Sequence, residues 1–350
     1  MNLDNSVERN ILKKLYTLLL LLILIPVTIY SQVSLYGSKG LLRIFEAETI
    51  HPGQLAINPV YTGYAAGDNY NFSEDHTLNL ALTLSLSEQI EVFAHLVPYQ
   101  DDQKHTWGPI GDTRLSVKYH IPNYGSISQL GFVGFVSLPT AVNHNVDFEP
   151  FSDDAIGWGL LGLATFDLKK YFGTLPLKLS LNLGYRDINW SDPFFSDPKD
   201  QLIGGFGFKF PVRSNLLYSE VTGEVFFNNI ENVRLSQNYV RFTQGFRFVG
   251  PWHLICDISG DIELSNYDQN TLTSVNKKFI KDYANWKIIF GVSYRTNVFT
   301  GKTRREKELE KRKLEEQKDL DTIQEKRKKV IDDLEELRKK LEQEKKPTAD

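Results

Sequence analysis

The stretch HTLNLALTLSLSEQ, His76–Gln89, alternates without a break. Leu78, Leu80, Leu82, Leu84 and Leu86 fall on one face, and Asn79, Ala81, Thr83 and Ser85 fall on the other. Period two is the mark of a β-strand, here with one oily and one small, polar face. The oily face needs a second sheet or the hydrocarbon of a membrane. Which of the two it meets is decided by the rest of the chain.

The same alternation returns along the sequence. In PLKLSLNLGYRD, Leu177, Leu179, Leu181, Leu183 and Tyr185 oppose Lys178, Ser180, Asn182, Gly184 and Arg186. DTRLSVKYHI, YVRFTQGFRFV and NWKIIFGVSYRT repeat it. Twelve segments of this kind lie near 53–64, 76–87, 89–99, 111–121, 128–139, 155–168, 176–187, 200–211, 215–227, 238–249, 252–265 and 283–295. Soluble strands run to about 5–6 residues, whereas a tilted membrane strand needs about 9–11. Most of these segments have the greater length.

The connections alternate too. AAGDNYNFSED, QDDQKHTWGPI, TAVNHNVDFEPFSDD, INWSDPFFSDPK, NNIENVRLSQ and SNYDQNTLTSVNKKFIKD are long. The breaks between them, at Glu88, PNYGSIS, KKYFGTLP, VRSN and Gly250-Pro251, are shorter. A soluble β-sandwich, the competing architecture, has no reason to lengthen every second loop. A bacterial outer-membrane barrel has one, with long loops outside the cell and tight turns in the periplasm. The expected fold is therefore all-β: a closed antiparallel transmembrane β-barrel of about 12 strands, followed by a long C-terminal α-helix. On that reading the leucines face lipid and the polar residues face the lumen.

The composition agrees. The net charge of −4 carries no nucleic-acid footprint. A mean hydropathy of −0.31 excludes a bundle of membrane helices but not a barrel, whose strands average out. The single cysteine, Cys256, excludes a disulfide framework and any paired-cysteine metal site. No metal or cofactor is expected. The acidic residues of the long loops, among them Glu74, Asp75 and Asp200, read as solvated charge.

Arg9, Lys13 and Lys14 precede LYTLLLLLILIPVTIY and then Ser31-Gln32. A basic start, a short apolar run and a small residue describe an export signal over 1–31. An uncleaved anchor is the alternative, although the run is short for a spanning helix. Residues 32–52 form a lead-in segment with room to act as a plug, and 53–300 form the barrel. Composition changes at Gly301, where 301–346 reads as a charged helix and 347–350 as a disordered end. Leu320, Ile323, Arg327, Val330, Leu334, Leu337 and Leu341 follow heptad spacing. That seam predicts self-association or docking on a periplasmic partner; a lone solvated helix is the other reading.

GPIGDTRLSVKYHIP (Gly108–Pro122), GFVGFVSLPT (Gly131–Thr140) and GLLRIFEAETIHPGQLAI (Gly40–Ile57) resemble strand starts, strand ends and pre-barrel segments of outer-membrane barrels in the OmpA/porin-like superfamily. The resemblance implies a barrel in a Gram-negative-type outer membrane, surrounded by lipid and lipopolysaccharide, with its C-terminal helix in the periplasm. It covers the barrel only, since no OmpA-type peptidoglycan-binding domain follows. Gly291 and Tyr294 resemble the signal read by the barrel-assembly machinery, with Thr296 departing from the usual final aromatic residue.

Alternation places charge on the inner wall: Glu91, Arg114, Lys118, Lys178, Arg186, Lys209, Glu220, Glu224, Arg241, Arg247, Asp257, Asp261, Glu263, Lys287 and Arg295. Charge in an enclosed space is costly unless paired or wetted. The lumen therefore holds water, salt-bridge networks or both. With continuous water the protein is a passive pore for small polar solutes; with closed networks it is a non-conducting envelope scaffold whose helix docks a partner. No enzyme is expected. The acid–histidine spacing of Asp101 or Asp102 with His105 has no second pair to support it.

Overall fold

The structure, a computed structural model, describes residues 33–67, 72–100, 110–123, 127–141, 155–173, 175–193, 200–212, 215–226, 239–250, 254–265, 285–299 and 301–344. The export signal, the acid–histidine spacing at 101–105 and the chain end after 344 lie outside them. The first six strands are β1 (Gln54–Gly67), β2 (Phe72–Ser85), β3 (Ile90–Gln100), β4 (Thr113–Ile121), β5 (Ser128–Leu138) and β6 (Gly157–Asp167). A one-turn helix, α1 (Lys169–Phe172), leads to β7 (Lys178–Asp187), β8 (Gln201–Val212), β9 (Asn215–Phe226), β10 (Tyr239–Val249), β11 (Ile255–Glu263) and β12 (Trp286–Asn297). A long helix, α2 (Arg304–Glu344), follows.

Each strand pairs with its sequence neighbours, and β1 pairs antiparallel with β12, so the sheet closes as a barrel. Closure leaves no strand edge to satisfy, which is what a hydrocarbon surround demands. The leucine strand shows the division of faces. Asn79, Ala81, Thr83 and Ser85 have no exposed surface, while Leu78 is 37% and Leu86 46% exposed. On β4, β7 and β12 the same split leaves Val117, Leu183, Ile288 and Tyr294 on the outside. An apolar exterior on a closed antiparallel sheet is the surface of an outer-membrane-type barrel.

Two departures from the sequence pattern have physical causes. Pairing of β1 with β2 continues through Ala65↔Glu74 to Gly67↔Phe72. Most of the first long loop, Glu74 and Asp75 included, is therefore strand. Backbone pairing persists beyond the apolar stripe, because a hairpin ladder needs no hydrophobic face once it passes the hydrocarbon. Between β2 and β3 the register slips, with Leu78 opposite Tyr99 and Leu80 opposite Leu96. Asn79 thus faces both Val97 and Pro98, and the bulge accommodates a proline that has no N–H to donate.

The barrel starts and ends at one rim. Gly53 adopts a φ of 84°, and its carbonyl accepts the Val298 N–H at 2.9 Å. A Cβ there would collide with the Phe299 carbonyl, so only glycine allows the two chain ends to pass this closely.

The chain divides into two compact units, one ending at Gly301 and the other starting at Lys302. In the second, Thr303 and Glu306 form a reciprocal cap. The Thr303 N–H donates to Glu306 Oε2 at 2.7 Å, and the Glu306 N–H donates to Thr303 Oγ1 at 3.2 Å. Leu320, Ile323 and Leu334 of the heptad seam are exposed, as is Arg327. Val330, Leu337 and Leu341 lie on the same helix. Removing residues 302–350 should leave the barrel's heat-modifiable mobility on unboiled gels unchanged. Loss of the folded band in that truncation would show that the barrel depends on its tail.

Candidate functional site

The interior is filled by the lead-in segment. Residues 33–52 form no regular element beyond two isolated bridges, Val33↔Lys39 and Gly40↔Phe45. Yet Leu35, Leu41, Leu42, Ile44, Ala47 and Ile50 are each at most 2% exposed. An irregular chain in an enclosed space has backbone N–H and C=O groups with no ladder to join. The plug pairs some of them internally, as where the Leu35 N–H donates to Leu42 O at 2.7 Å and the Glu46 N–H to Lys39 O at 2.9 Å, and the inner wall supplies partners for many of the others.

Seven plug N–H groups donate to wall side chains. Ser38 donates to Thr83 Oγ1 at 2.9 Å, Lys39 to Glu91 Oε1 at 3.1 Å and Ile50 to Glu91 Oε2 at 2.7 Å. Arg43 and Ile44 donate to the Glu220 carboxylate at 3.0 and 3.2 Å. Phe45 donates to Asn182 Oδ1 at 2.7 Å, and Ala47 to Thr165 Oγ1 at 3.0 Å. The carbonyls are met in the same way. Asn58 donates to Ser34 O, Arg247 to Gly40 O at 2.9 Å, Asn182 to Phe45 O at 2.9 Å, and Lys118 to Glu46 O and Glu48 O. Asn182 thus both accepts from and donates to Phe45, as a neighbouring strand would.

Ion pairs add to this grip. Arg43 Nη2 lies 2.6 Å from Asp261 and its Nη1 4.0 Å from Glu220. Lys209 pairs with Glu46, and Lys39 and Lys178 pair with Glu48, the latter at 3.1 Å. The Lys39 ammonium foremost, with Lys178 behind it, holds the Glu48 carboxyl far below the usual carboxylate range against the opposing effect of burial. Burial alone would raise Glu46; Lys209 and Lys39 outweigh it and hold that carboxyl at about 2.

Three apolar clusters also join plug to wall. Leu35, Leu41, Leu42 and Ile44 pack with Val60, Leu216, Tyr218 and Ile289. Phe45 and Ala47 pack with Phe93, Val133, Phe135, Leu161 and Leu163. Val33 and Ile50 meet Ala56. The inner wall is therefore not uniformly polar, as strict alternation suggested. Gly207 makes room for the plug: a Cβ there would collide with Leu41 Cδ1.

Wall charges also pair with one another. Glu91 meets Lys118 at 3.1 Å with neither side chain exposed. Arg241 meets Glu224 at 2.9 Å, and Arg247 pairs with Asp257. Glu263 accepts from Ser265, and Lys287 is 2% exposed. Arg295 Nε and Nη2 are enclosed with no hydrogen-bond partner among the described residues. Gly291 is buried on β12, opposite Val60 of β1 and Asp257 of β11, while Tyr294 faces outward. Asp200, read as solvated loop charge, is 1% exposed, because Tyr185 Oη and the Ile188 N–H donate to it.

Between the plug and the rim opposite the chain ends, the wall borders a half-open cavity of about 80 Å³. Arg114 and Arg186 line its wall, and Tyr36, Arg43, Ile44 and Phe45 of the plug form its floor. The Arg114 guanidinium stacks on the Tyr36 and Phe135 rings, 4.9 and 4.4 Å from their centroids. Sequence reading placed Thr83 and Asn182 on the inward face and offered 32–52 as a plug, but gave no individual plug residue a partner on the wall and did not single out Thr165. The one available signal was the two bases followed by two acids in KGLLRIFEAE (Lys39, Arg43, Glu46 and Glu48), which complement a wall carrying both signs.

No protein-family model and no curated protein matches this chain. Among solved structures, the NanC porin is 12% identical with a TM-score of 0.44, over 68% of this chain and 98% of that one. The translocator domain of the autotransporter NalP from Neisseria meningitidis is 12% identical with a TM-score of 0.34, over 70% of this chain and 88% of that one.

Proposed function

We propose that the protein is an outer-membrane channel for small polar solutes, closed at rest by residues 33–52. The observation that carries this reading is the plug's mode of attachment. Its backbone is held by polar wall side chains, so withdrawal would leave a lumen lined with Glu91, Asn182, Glu220 and Asp261. Water can take over each of those hydrogen bonds. A plug held by apolar packing alone would leave a dry wall behind it.

The orientation follows the usual arrangement of such barrels. The rim bearing Gln54 and Asn297 faces the periplasm, the plug enters from that side, and the helix emerges there. Lipid and lipopolysaccharide surround the apolar exterior, and Gly291 and Tyr294 present the assembly signal. The seam from Leu320 to Leu341 then serves self-association or a periplasmic partner. A second reading, a permanently closed envelope scaffold, draws on the three apolar clusters that join plug and wall.

Planar-bilayer recording separates the two. Asn182→Ala leaves one plug N–H and one C=O without partners, at about 1–3 kcal/mol for each buried group. If the plug is a gate, the wild type opens rarely and Asn182→Ala spends at least tenfold longer open. Silence in both proteins, with folded barrels confirmed on unboiled gels, rejects the channel in favour of the scaffold.

A further inference from the structure

We propose that two copies of this chain pair through α2 as an antiparallel coiled coil, with the two-fold point between Lys328 and Lys329. This deepens the reading of the seam given above, and rests on it: of the two occupants named there, a second copy covers the seam. It does not depend on whether the barrel conducts.

The seam is apolar, and Leu320, Ile323 and Leu334 stand exposed on a helix of 41 residues. Heptad spacing puts Leu320, Arg327, Leu334 and Leu341 at position a, and Ile323, Val330 and Leu337 at position d. The flanking charges decide what fits against it. The g positions read Asp319, Lys326, Asp333 and Lys340, acid and base by turns. No opposite charge stands three or four residues from Asp319 or Lys326, so neither is matched along its own helix.

In an antiparallel pair, g positions meet g positions, and these contacts set partner and orientation. About the proposed two-fold point, Lys326 meets Asp333 of the second copy, and Asp319 meets Lys340 of the second copy. Symmetry doubles each, so all four g contacts attract. The same register sets Leu320 against Leu337, Ile323 against Leu334 and Arg327 against Val330, so no arginine faces another. The alternatives carry repulsion. Sliding one helix by a heptad, in either direction, sets Lys326 against Lys340 or against itself, and Asp333 against itself or Asp319. A parallel pair sets Arg327 against Arg327, and only Asp333 with Arg338 remains an opposite-charge contact. Repulsion in the competing arrangements is what makes one of them specific. In the antiparallel pair the helix starts at Arg304 lie about 70 Å apart, so the coil holds two chains at a set spacing.

The test uses the full chain in detergent micelles, with Cys256→Ser so that an added cysteine is the only one. Sedimentation should show a reversible dimer, and the chain without residues 302–350 a monomer. A nitroxide on Lys311→Cys, away from the g contacts, reads the orientation by dipolar spectroscopy. The two spins should lie about 50 Å apart in the antiparallel pair, against less than about 30 Å in a parallel one. Lys326→Glu turns two attractive contacts repulsive and should weaken the dimer about tenfold. Adding Asp333→Lys makes those contacts attractive again and should restore it. The heat-modifiable band on unboiled gels checks that the barrel of each variant is folded. A dimer that persists without residues 302–350, a short distance at Lys311, or a Lys326→Glu dimer as strong as the wild type overturns the inference. A monomeric full chain also overturns it, and assigns the seam to a different periplasmic partner. None of these outcomes bears on conduction, which the bilayer recordings decide separately.

Discussion

Arg43→Glu should conduct continuously in planar bilayers where the wild type is almost always shut. Arg43 is the central ion of the plug. It reaches Asp261 through both terminal nitrogens, at 3.1 and 2.6 Å, and Thr243 at 3.3 Å, with Glu220 4.0 Å away. Its side chain and both carboxylates are at most 3% exposed. Removing one partner from such a group costs about 3–5 kcal/mol, because the opposite charge is left unmatched away from water. A glutamate at the same place goes further, setting a third carboxylate beside two others. With the plug withdrawn, all three carboxylates are hydrated, so the reversal favours the open state specifically. Arg43→Met isolates the loss of attraction from the added repulsion and should open the channel less. The pair Arg43→Glu with Asp261→Arg should restore closure in part, since it re-forms an ion pair with the charges exchanged. A folded Arg43→Glu barrel that stays silent would falsify the gate.

The two halves of the protein were legible in the sequence to different degrees. The barrel was legible because lipid imposes one rule on every strand: a residue such as Leu181 or Phe290 faces hydrocarbon, and its neighbours Asn182 and Gly291 do not. That rule acts over two residues, so a short window reveals it. The plug obeys no local rule. It has neither strand nor helix period, and its partners are remote, with Glu220 lying 177 residues from Arg43 and Asn182 lying 137 from Phe45. No local pattern records such a pairing.

The polar inner wall was visible but ambiguous for a related reason. Thr83, Thr165 and Asn182 satisfy a chain in the lumen, yet the same side chains would suit water equally well. Only the position of 33–52 distinguishes the two. Asp200 shows the opposite error. An acidic residue in a polar stretch reads as solvated, whereas Tyr185 and the Ile188 N–H bury it by donating to it. Neither donor is adjacent in sequence.

These partnerships also bear on why the wall carries acids where it does. Glu91 and Glu220 each accept two backbone N–H groups of the plug, a task that a carboxylate's two oxygens perform better than any neutral side chain. Charge on the wall is thus first an acceptor for a strand-less backbone. Its use by a passing solute requires the plug to move.

Glu91→Ala should accordingly have the largest effect on assembly of the closed state. One carboxylate there accepts the Lys39 N–H at 3.1 Å and the Ile50 N–H at 2.7 Å, and pairs with Lys118 at 3.1 Å. It therefore fastens two separated points of the plug, Lys39 and Ile50, to one point on β3. Alanine leaves two buried N–H groups without acceptors, at about 1–3 kcal/mol each. Lys118 also loses its counter-charge, although its donations to Glu46 O and Glu48 O remain and lessen that part of the loss. The sum is of the order of a small domain's entire stability. In detergent, the amides of residues 38–51 should lose their protection from hydrogen exchange while the β-strand amides keep theirs. Adding Lys118→Met should restore some of that protection by removing the unmatched ammonium, whereas Glu91→Gln, which keeps one acceptor oxygen, should fall between wild type and alanine. Plug amides that stay protected in Glu91→Ala would mean that the apolar clusters alone seat the plug, and that the hydrogen bonds from β3 are incidental to closure.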